Sequence, residues 1–408
     1  MVKSLIFSCN FRVTSNIYKD IPSSVVSMRL CIPVGIFPPE IGGPATYVPE
    51  LARRLTLRGH EVHIVTFGTP RYEERDGYFI HRQAYPALPK FLAFPSRIVR
   101  AGLLCAKVVK KYNLEVIYAQ EYISGLVGLI AKKLTGRRLY FKYVGDWAWE
   151  AAFSRGWTDK LLHEFYNSGS PNIYTSMMMY LQKQVGKNCT KIITPSNYLK
   201  SIIEKWNIQT PVVVIPNAVE FNPCDKKVCR KELGLRGFTL LSVGRLVRWK
   251  GFHLVIEAIK EIDQEVSYLI IGEGPYRREL EKLAEEINLH SVRFLGKMPK
   301  SRTLKYICAS DLFVLPSYYE GMSHVILEAM SCRTPVLASD IPPNREIIRD
   351  GETGFLVNPS PDEIRRKVLG ILDRRDLGGV AERAYEAVMK RNSWENHIAD
   401  LEEVINSL

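Results

Sequence analysis

The sequence predicts an α/β protein built from two doubly wound, Rossmann-like domains that face each other across a cleft. A chain of 408 residues exceeds the usual size of one hydrophobic core and suits two domains of similar size. From Met28 onward, short apolar or β-branched segments alternate with amphipathic helical segments, as in parallel strands joined by helices. Because ligands of open parallel sheets bind at the carboxyl ends of the strands, two facing sheets also predict a binding cleft.

The first domain is predicted over residues 28–216. Its opening strand begins at Met28, and a helix over 47–58 has its apolar residues on one face before Gly59 ends it. The other predicted elements are strands at 61–67, 115–119, 139–144, 191–195 and 212–216, and helices near 96–111, 124–134, 172–188 and 197–206. Residues 1–27 stand apart from this pattern, and we expect Met28 to be the natural start of the chain.

The second domain is predicted over residues 217–385, after a junction near 217–229. Its six strands, which alternate with helices, are predicted at 239–243, 267–271, 292–295, 312–315, 335–339 and 354–357. The C-terminal segment 386–408 contains a helix over 394–405 that follows a complete second domain. We therefore expect this last helix to return to the first domain.

The composition is that of a folded, globular protein. Hydrophobic residues make up 46% of the sequence and charged residues 24%. No apolar run approaches the roughly 18 residues that a membrane-spanning helix needs. The eight cysteines are scattered without a CxxC pair, so they indicate neither a zinc cage nor a disulfide framework, and a reducing cytoplasm is the expected location.

The net charge of +13 is distributed unevenly along the chain. Residues 1–250 contain 36 Lys and Arg against 17 Asp and Glu, a net charge of +19, whereas residues 251–408 contain 20 against 26, a net charge of −6. This asymmetry predicts that the first domain faces an anion, either a phosphate-bearing substrate or the anionic inner face of a membrane. No nucleic-acid partner is expected, because the basic residues form dispersed pairs without a nucleic-acid-binding motif.

Several residues of the second domain follow predicted strands, where a phosphate-bearing ligand would bind. Arg245 and Lys250 lie five residues apart after the first of these strands, so both cations could hold a diphosphate. Two solvated loop cations are the alternative. Glycines that permit close backbone approach, and a backbone that could read a base edge, add the candidates Gly244, Gly272, Gly274, Lys297 and Met298. Tight turns and ordinary strand ends explain these positions equally well on spacing alone.

The strongest constellation lies between residues 316 and 330. A predicted strand leads through a glycine-containing turn into a helix that begins near Ser323, whose free N–H groups form an anion site. Glu328 lies about 7 to 8 Å further along this helix, which suits a diphosphate at the tip and a ribose at Glu328. Glu320, in the turn, is expected to be free to meet a sugar, with surface salt bridges as the alternative for both glutamates. The residues expected around the tip are Gly321, Met322, Ser323 and His324.

Two segments of the first domain are expected to face the same cleft. Gly42 and Gly43 follow the opening strand, so their backbone amides could approach a ligand, although a simple turn is the alternative. The loop after the predicted strand 139–144 contains Asp146. Asp146 is a candidate for binding a sugar hydroxyl or accepting a proton, and an N-cap before Trp147 is the competing interpretation.

The order of these residues resembles that of the retaining glycosyltransferases of family four, which have the GT-B fold. The resemblance rests on Gly42-Gly43, Arg245 with Lys250, Gly272-Glu273-Gly274, Asp350-Gly351-Glu352-Thr353-Gly354-Phe355 and the pair Glu320 and Glu328, separated by seven residues. It implies that Arg245 and Lys250 bind the donor diphosphate. It also implies that Glu320 contacts the donor sugar, that Glu328 holds the ribose and that the Gly42-Gly43 loop lies against the phosphates. Many members carry a histidine where this chain has Asp146.

The residues and the resemblance together predict a glycosyltransferase of the hexosyltransferase type, acting in glycan or cell-envelope biosynthesis. It would move a sugar from a nucleotide-sugar donor to a hydroxyl of a glycan or lipid-linked acceptor, with retention of configuration. No Asp-x-Asp motif occurs, so neither a metal nor a cofactor is expected, and Arg245, Lys250 and the helix dipole would replace the metal. The alternatives are a sugar-nucleotide epimerase of the same architecture and a non-catalytic protein peripheral to the membrane.

Overall fold

The computed structural model describes residues 27–40, 42–85, 90–221, 225–262, 265–287 and 291–407. These residues form two α/β domains, each with its own sheet, and the predicted fold class is confirmed. Of the predicted N-terminal extension only Ser27 is described, and residues 222–224 of the predicted junction lie outside the described residues.

The first domain contains eight strands and seven helices among its described residues. The strands are β1 (Arg29–Pro33), β2 (Glu61–Phe67), β3 (Tyr72–Arg75), β4 (Tyr78–Gln83), β5 (Val116–Gln120), β6 (Arg138–Lys142), β7 (Lys191–Thr194) and β8 (Val212–Val214). The helices are α1 (Gly43–Leu57), α2 (Lys90–Lys111), α3 (Glu121–Thr135), α4 (Trp147–Ser154), α5 (Leu162–Ser168), α6 (Ile173–Asn188) and α7 (Asn197–Glu204).

The remaining elements of the structure belong to the second domain, except the C-terminal helix α16. The strands are β9 (Phe238–Val243), β10 (Val266–Ile271), β11 (Val292–Gly296), β12 (Leu312–Leu315), β13 (Val336–Ser339) and β14 (Phe355–Val357). The helices are α8 (Lys226–Leu233), the 3₁₀ turn η1 (Arg248–Lys250), α9 (Phe252–Ile259), α10 (Arg277–Glu286), α11 (Lys300–Ala309), α12 (His324–Ser331), α13 (Pro342–Arg345), α14 (Pro361–Leu372), α15 (Leu377–Arg391) and α16 (Trp394–Asn406).

The first sheet has the strand order β3-β4-β2-β1-β5-β6-β7-β8, and its neighbours are parallel except β3 and β4. Its central strands read as nearly continuous apolar runs because both faces are covered, and β5 is buried at every position. Helices α2, α3 and α6 bury apolar side chains against one face, and α1 and α16 bury theirs against the other. The carboxyl ends of β1, β5 and β6 therefore share the edge that faces the second domain.

The second sheet is entirely parallel, with the order β11-β10-β9-β12-β13-β14. All six predicted strands are confirmed, each within one residue of its expected ends. The chain order reverses between the adjacent strands β9 and β12. Such a switch point leaves a crevice beyond the carboxyl ends of the two strands, and the loops that carry Arg245 and Glu320 begin there.

Three features of the first domain were not predicted, namely the β3-β4 hairpin and the helices α4 and α5. The β3-β4 hairpin turns through Asp76 and Gly77, which have φ values of 49° and 81°. An Asp-Gly pair with two positive φ angles is the signature of a tight hairpin turn, so the sequence did contain this signal. Helix α4 lacked a signal because its residues are almost all apolar, and a helix that is buried on most sides has no amphipathic period.

The C-terminal helix α16 packs on the first domain, as predicted. Its apolar face, which includes Ile398 and Leu401, joins the core formed with α1. Its Glu402 accepts two hydrogen bonds from Arg58, both at 2.7 Å. Packing and a paired carboxylate together bind the end of the chain to the domain in which the chain begins.

The two crossings between the domains lie side by side. The Val219 N–H donates to the Asn392 carbonyl at 2.8 Å, and the Asn392 side chain donates to the Asn217 carbonyl at 2.9 Å. The predicted boundary at residue 385 falls inside α15, which continues because Val388 is buried in the second core. The return to the first domain therefore begins at residue 392 rather than 386.

Candidate active site

The two domains meet through loops at the carboxyl edges of their sheets. The loop after β6 contacts the turn 316–323, which follows β12. The Asp146 N–H donates to the Tyr319 hydroxyl at 3.1 Å. A Cβ on Gly321 would overlap the carbonyl oxygen of Val144, so glycine is required where the domains touch.

Lys250 and Glu320, 70 residues apart, form an ion pair in this crevice. The Lys250 ammonium donates to Glu320 Oε1 at 2.6 Å, and the side chains are 17% and 8% exposed. Lys250 ends η1 and Glu320 lies in the turn before α12. The expectation that Glu320 is free is therefore wrong for this structure, because a nearly buried carboxylate needs a cation or a hydrogen-bond donor.

Arg245 lies at the start of the same loop and is exposed. Within the described parts of the chain it has no ion-pair partner. Its charge, like that of Lys250, lowers the pKa of Glu150 on the facing helix α4. Arg245 thus presents a cation at the edge of the crevice, close to the first domain.

Packing requires glycine at some of the predicted glycine positions and not at others. A Cβ on Gly272 would overlap the Gly244 carbonyl, and one on Gly274 would overlap the Leu246 carbonyl. These two glycines are explained by close packing between the loops after β9 and β10. The loop with Gly42 and Gly43 lies at the edge of the cleft, where Gly43 begins α1. Gly43 has open space at its Cβ position, so packing does not require a glycine there.

The tip of α12 is an uncapped helix N-terminus. Ser323 occupies the N-cap position, and its side chain makes no capping hydrogen bond. The first N–H groups of α12 are thus available to an anion, beside the Lys250–Glu320 pair. His324 begins the helix, and burial followed by the charge of Lys142 lowers its pKa to about 3, so the ring is neutral. Met322 is buried, and its carbonyl accepts from the Asn217 side chain at 3.0 Å, a contact at the domain crossing.

Glu328 lies one and a half turns into α12, as the spacing predicted. Its carboxylate pairs with Lys300 of α11 at 3.1 Å. Lys300 is about half exposed, so the pair is open to competition from ribose hydroxyls. Lys297 and Met298 follow β11 at the same edge of the sheet, where Lys297 is exposed and Met298 packs against the second core.

Asp146 is not available to a sugar, and its assignment to the ligand site is corrected. Its carboxylate is fully buried and accepts from the Trp149 N–H at 2.8 Å as the N-cap of α4. It also accepts from the hydroxyls of Tyr143 and Tyr166 and from the Gln182 side chain. Four donors use its acceptor capacity, so the N-cap interpretation is the one that the structure supports.

Glu150 is a site residue that sequence reasoning missed. It lies one helical turn after Asp146, on the side of α4 that faces the second domain, and Oε1 lies 3.0 Å from the position that a Cβ on Gly145 would take. Burial raises its pKa to about 7, and the nearby charge of Asp146 adds to this, whereas Lys250 and Arg245 lower it. Had Asp146 been taken as an N-cap, the four-residue spacing would have placed Glu150 on the helix that enters the cleft.

Glu121 is a second carboxylate at the same edge. It begins α3 with a φ of 74°, a conformation that a glutamate rarely adopts. Its side chain accepts from the Gly35 N–H at 3.1 Å. Burial raises its pKa to about 7, and Glu150 contributes to this shift. The two carboxyl groups line the first-domain side of the cleft.

The raised pKa of Glu150 predicts a pH-dependent stability. The unfolded carboxyl ionises near 4.5 and the folded one near 7, so the stabilising contribution is complete below 4.5 and is lost as the pH rises to 7. E150Q should therefore be more stable than the wild type by about 1 to 3 kcal/mol at pH 8 and not at pH 4. Urea unfolding at both pH values measures this, and equal differences at the two pH values would contradict it.

Comparison with known proteins identifies the family to which this arrangement belongs. One family profile, described as Glycosyltransferase Family 4, matches residues 41–222, and another, described as Glycosyl transferases group 1, matches residues 226–391. The chain belongs to the family 4 glycosyltransferases. The predicted enzyme class is thereby confirmed, and neither the epimerase nor the non-catalytic alternative gains support.

Relatives and solved structures match this glycosyltransferase along most of its length. An uncharacterized glycosyltransferase of Methanocaldococcus jannaschii, MJ1178, is 26% identical over 94% of this chain and 99% of its own. Alpha-monoglucosyldiacylglycerol synthase of Streptococcus pneumoniae is 26% identical over 81% of this chain and 75% of its own. Sucrose-phosphate synthase of Thermosynechococcus elongatus superposes with a TM-score of 0.81 at 21% identity, covering 93% of this chain and 98% of its own. The Anabaena protein HepE, solved with UDP and glucose, gives 0.75 at 19% identity, covering 93% and 100%.

Proposed function

We propose that this glycosyltransferase moves a hexose from a nucleoside diphosphate sugar to a hydroxyl of a glycan or lipid-linked acceptor, without a metal and with retention of configuration. The observation that carries the proposal is the ion pair of Lys250 and Glu320 beside the uncapped tip of α12. Together these groups offer positive charge and free N–H donors to a diphosphate and a carboxylate to the sugar next to it.

Cations in this crevice would replace a bridging metal. As the bond between the anomeric carbon and the diphosphate breaks, negative charge develops on the phosphate oxygens. Lys250, Arg245 and the α12 dipole would stabilise that charge, and the low exposure of Lys250 would strengthen its effect. Glu320 would accept hydrogen bonds from sugar hydroxyls in place of its present bond to Lys250.

Front-side attack accounts for retention without a covalent sugar-enzyme intermediate. The acceptor oxygen forms a bond to the anomeric carbon on the face from which the diphosphate departs, and the acceptor proton passes to a leaving phosphate oxygen. The base is thus the leaving group itself. Glu150, whose carboxyl can both donate and accept near pH 7, would hold a hydroxyl of the donor sugar or the acceptor, the role first expected of Asp146.

A screen of donors without acceptor tests this function. Slow hydrolysis of the correct donor releases the nucleoside diphosphate, and UDP sugars come first because HepE binds UDP and glucose. We expect one donor to be hydrolysed at a rate that EDTA does not change. We also expect NMR to show that the product keeps the anomeric configuration of the donor sugar. Loss of turnover with EDTA would contradict metal independence, and turnover of none of the UDP, GDP, ADP and dTDP sugars would contradict the proposal.

A surface of the first domain supports docking on an anionic membrane. Helices α2 and α6 both pack against α3 on one face of the sheet. They expose apolar side chains, among them Leu103 at 53%, Ile173 at 87% and Tyr180 at 59%. Arg100 and Lys107 are exposed on α2 beside them. Apolar groups next to cations suit an anionic lipid interface, and the name of the Streptococcus pneumoniae relative refers to a lipid product.

Vesicle flotation tests the membrane proposal. The protein should float with vesicles that contain phosphatidylglycerol at low salt and should be released by high salt. L103E together with I173E should abolish flotation while donor hydrolysis continues. Equal binding to neutral phosphatidylcholine vesicles would contradict the electrostatic basis of this proposal. In the described part of the chain no helix combines the length and apolar character that crossing a membrane requires.

A further inference from the structure

A buried lysine at the meeting point of the two domains makes no hydrogen bond or ion pair within the described residues. Lys142 ends β6, and its side chain is 1% exposed. Among the described residues its ammonium nitrogen has no hydrogen-bond partner, and it lies 3.7 Å from the centre of the Tyr47 ring. A buried amine without an anion or an acceptor is destabilising, so its position calls for an explanation.

Lys142 faces the tip of α12 across the ring of Tyr47. The centres of the Tyr47 and His324 rings are 6.0 Å apart, and His324 is the first residue of α12. The centre of the Tyr47 ring also lies 5.5 Å from that of the His397 ring. Burial, together with the positive charge of Lys142, lowers the pKa values of both histidines. A first-domain cation and the uncapped helix terminus of the second domain therefore converge.

The groups around Lys142 supply no negative charge. Tyr47 of α1, His324 of α12 and His397 of α16 are all neutral. The His397 ring is also occupied, because it bonds to the Tyr47 hydroxyl at 2.6 Å and to the Pro216 carbonyl at 2.7 Å. Within the described residues an anion for Lys142 is missing, and a bound ligand is the remaining source.

In the described part of the chain, the neighbouring strand β5 ends in an unpartnered polar atom as well. Gln120 lies opposite Lys142 at the end of β5, and its side-chain nitrogen makes no hydrogen bond. Because registered residues of parallel strands share a face, Gln120 and Lys142 lie on the same side of the sheet. Among the described residues, two neighbouring strands thus present unsatisfied polar groups at one edge, a pattern that a bound polar ligand would resolve.

We propose that Lys142, with Gln120 beside it, forms a first-domain subsite for the donor diphosphate bound at the tip of α12. This subsite rests on the proposed function and adds a third cation to Arg245 and Lys250. Lys142 belongs to the first domain and α12 to the second. A diphosphate held between Lys142 and the tip of α12 would therefore also hold the two domains close together. Lys142 is a binding residue in this scheme, and it takes no proton from the acceptor.

Replacement of Lys142 by methionine separates this role from a structural one. K142M keeps the length and apolar stem but removes the amine, and K133M, at an exposed lysine of α3, is the matched control. Calorimetry with UDP and with inorganic pyrophosphate should show binding at least tenfold weaker in K142M than in K133M. The melting temperature of unliganded K142M should rise, because an unpaired buried amine has been removed. Unchanged binding in K142M would overturn the subsite, whether or not the melting temperature falls.

Proton uptake by the wild type gives a test that needs no variant. Burial lowers the pKa of Lys142 to about 7, and an anion beside it would raise that pKa again. Binding of UDP at pH 7.5 should therefore take up a fraction of a proton, measured from the binding enthalpy in buffers of different ionisation enthalpy. Binding without proton uptake would overturn the proposal.

Arg245→Ala separates the failure of the subsite from the failure of the proposed function. If R245A weakens UDP binding and K142M does not, the subsite is refuted and the proposed function stands. If the wild type binds none of UDP, GDP, ADP, dTDP and pyrophosphate, both are refuted.

Discussion

Replacement of Lys250 by methionine is expected to lower kcat by about 10³-fold, because the variant loses a cation that would stabilise the departing diphosphate. The fold should persist, since Lys250 ends a short 3₁₀ turn and contributes little to either core. Steady-state kinetics with the donor found in the screen measures the effect. The control is K305M, which removes an exposed lysine that pairs with Glu232 on α8.

A double-mutant cycle with Glu320 distinguishes catalysis from simple charge pairing. The two side chains are 2.6 Å apart, so K250M leaves a nearly buried carboxylate without its cation. If the pair only stabilised the turn, neutralising both groups in K250M/E320Q would restore activity. We expect the double variant to remain at least about 10³-fold impaired, because neither the diphosphate nor the sugar then meets its partner. Recovery to within about tenfold of the wild type would refute the catalytic assignment.

Replacement of Asp146 by alanine is expected to destabilise the first domain by about 3 to 5 kcal/mol. One change removes the N-cap of α4 and leaves the buried donors of Tyr143 and Gln182 without an acceptor. Urea unfolding followed by tryptophan fluorescence measures the loss, since Trp147 and Trp149 belong to the capped helix.

D146N keeps the shape of the side chain and part of its hydrogen bonding, so it provides the matched comparison. Its folded fraction should retain kcat within about tenfold of the wild type, because the Asp146 carboxylate is buried and bonded to donors of its own domain. A stable but inactive D146A would instead restore a direct role for this carboxylate. E150Q, measured in parallel, should change the KM for donor or acceptor, because Glu150 faces the second-domain cations.

Much of the candidate site could be located from the sequence because it depends on local order. The turn before α12 and the loop after β9 each follow a strand, so their position at the carboxyl edge was predictable. The start of α12 after Ser323 and the position of Glu328 within it likewise agree with the expectation. The roles of Asp146 and Glu150 were not predictable in this way, because the donors that saturate Asp146 come from α5 and α6 as well as α4.

Hydrophobic periodicity and glycine turns act over a few residues, so the residue pattern alone predicted the α/β architecture and the six strands of the second sheet. Which charged groups meet could be seen only in the folded chain. It pairs Lys250 with Glu320, surrounds Asp146 with donors and, within the described residues, leaves the Lys142 amine without a hydrogen bond. The physical reason is that electrostatic and hydrogen-bond energies depend on distances of a few ångströms between residues far apart in the chain.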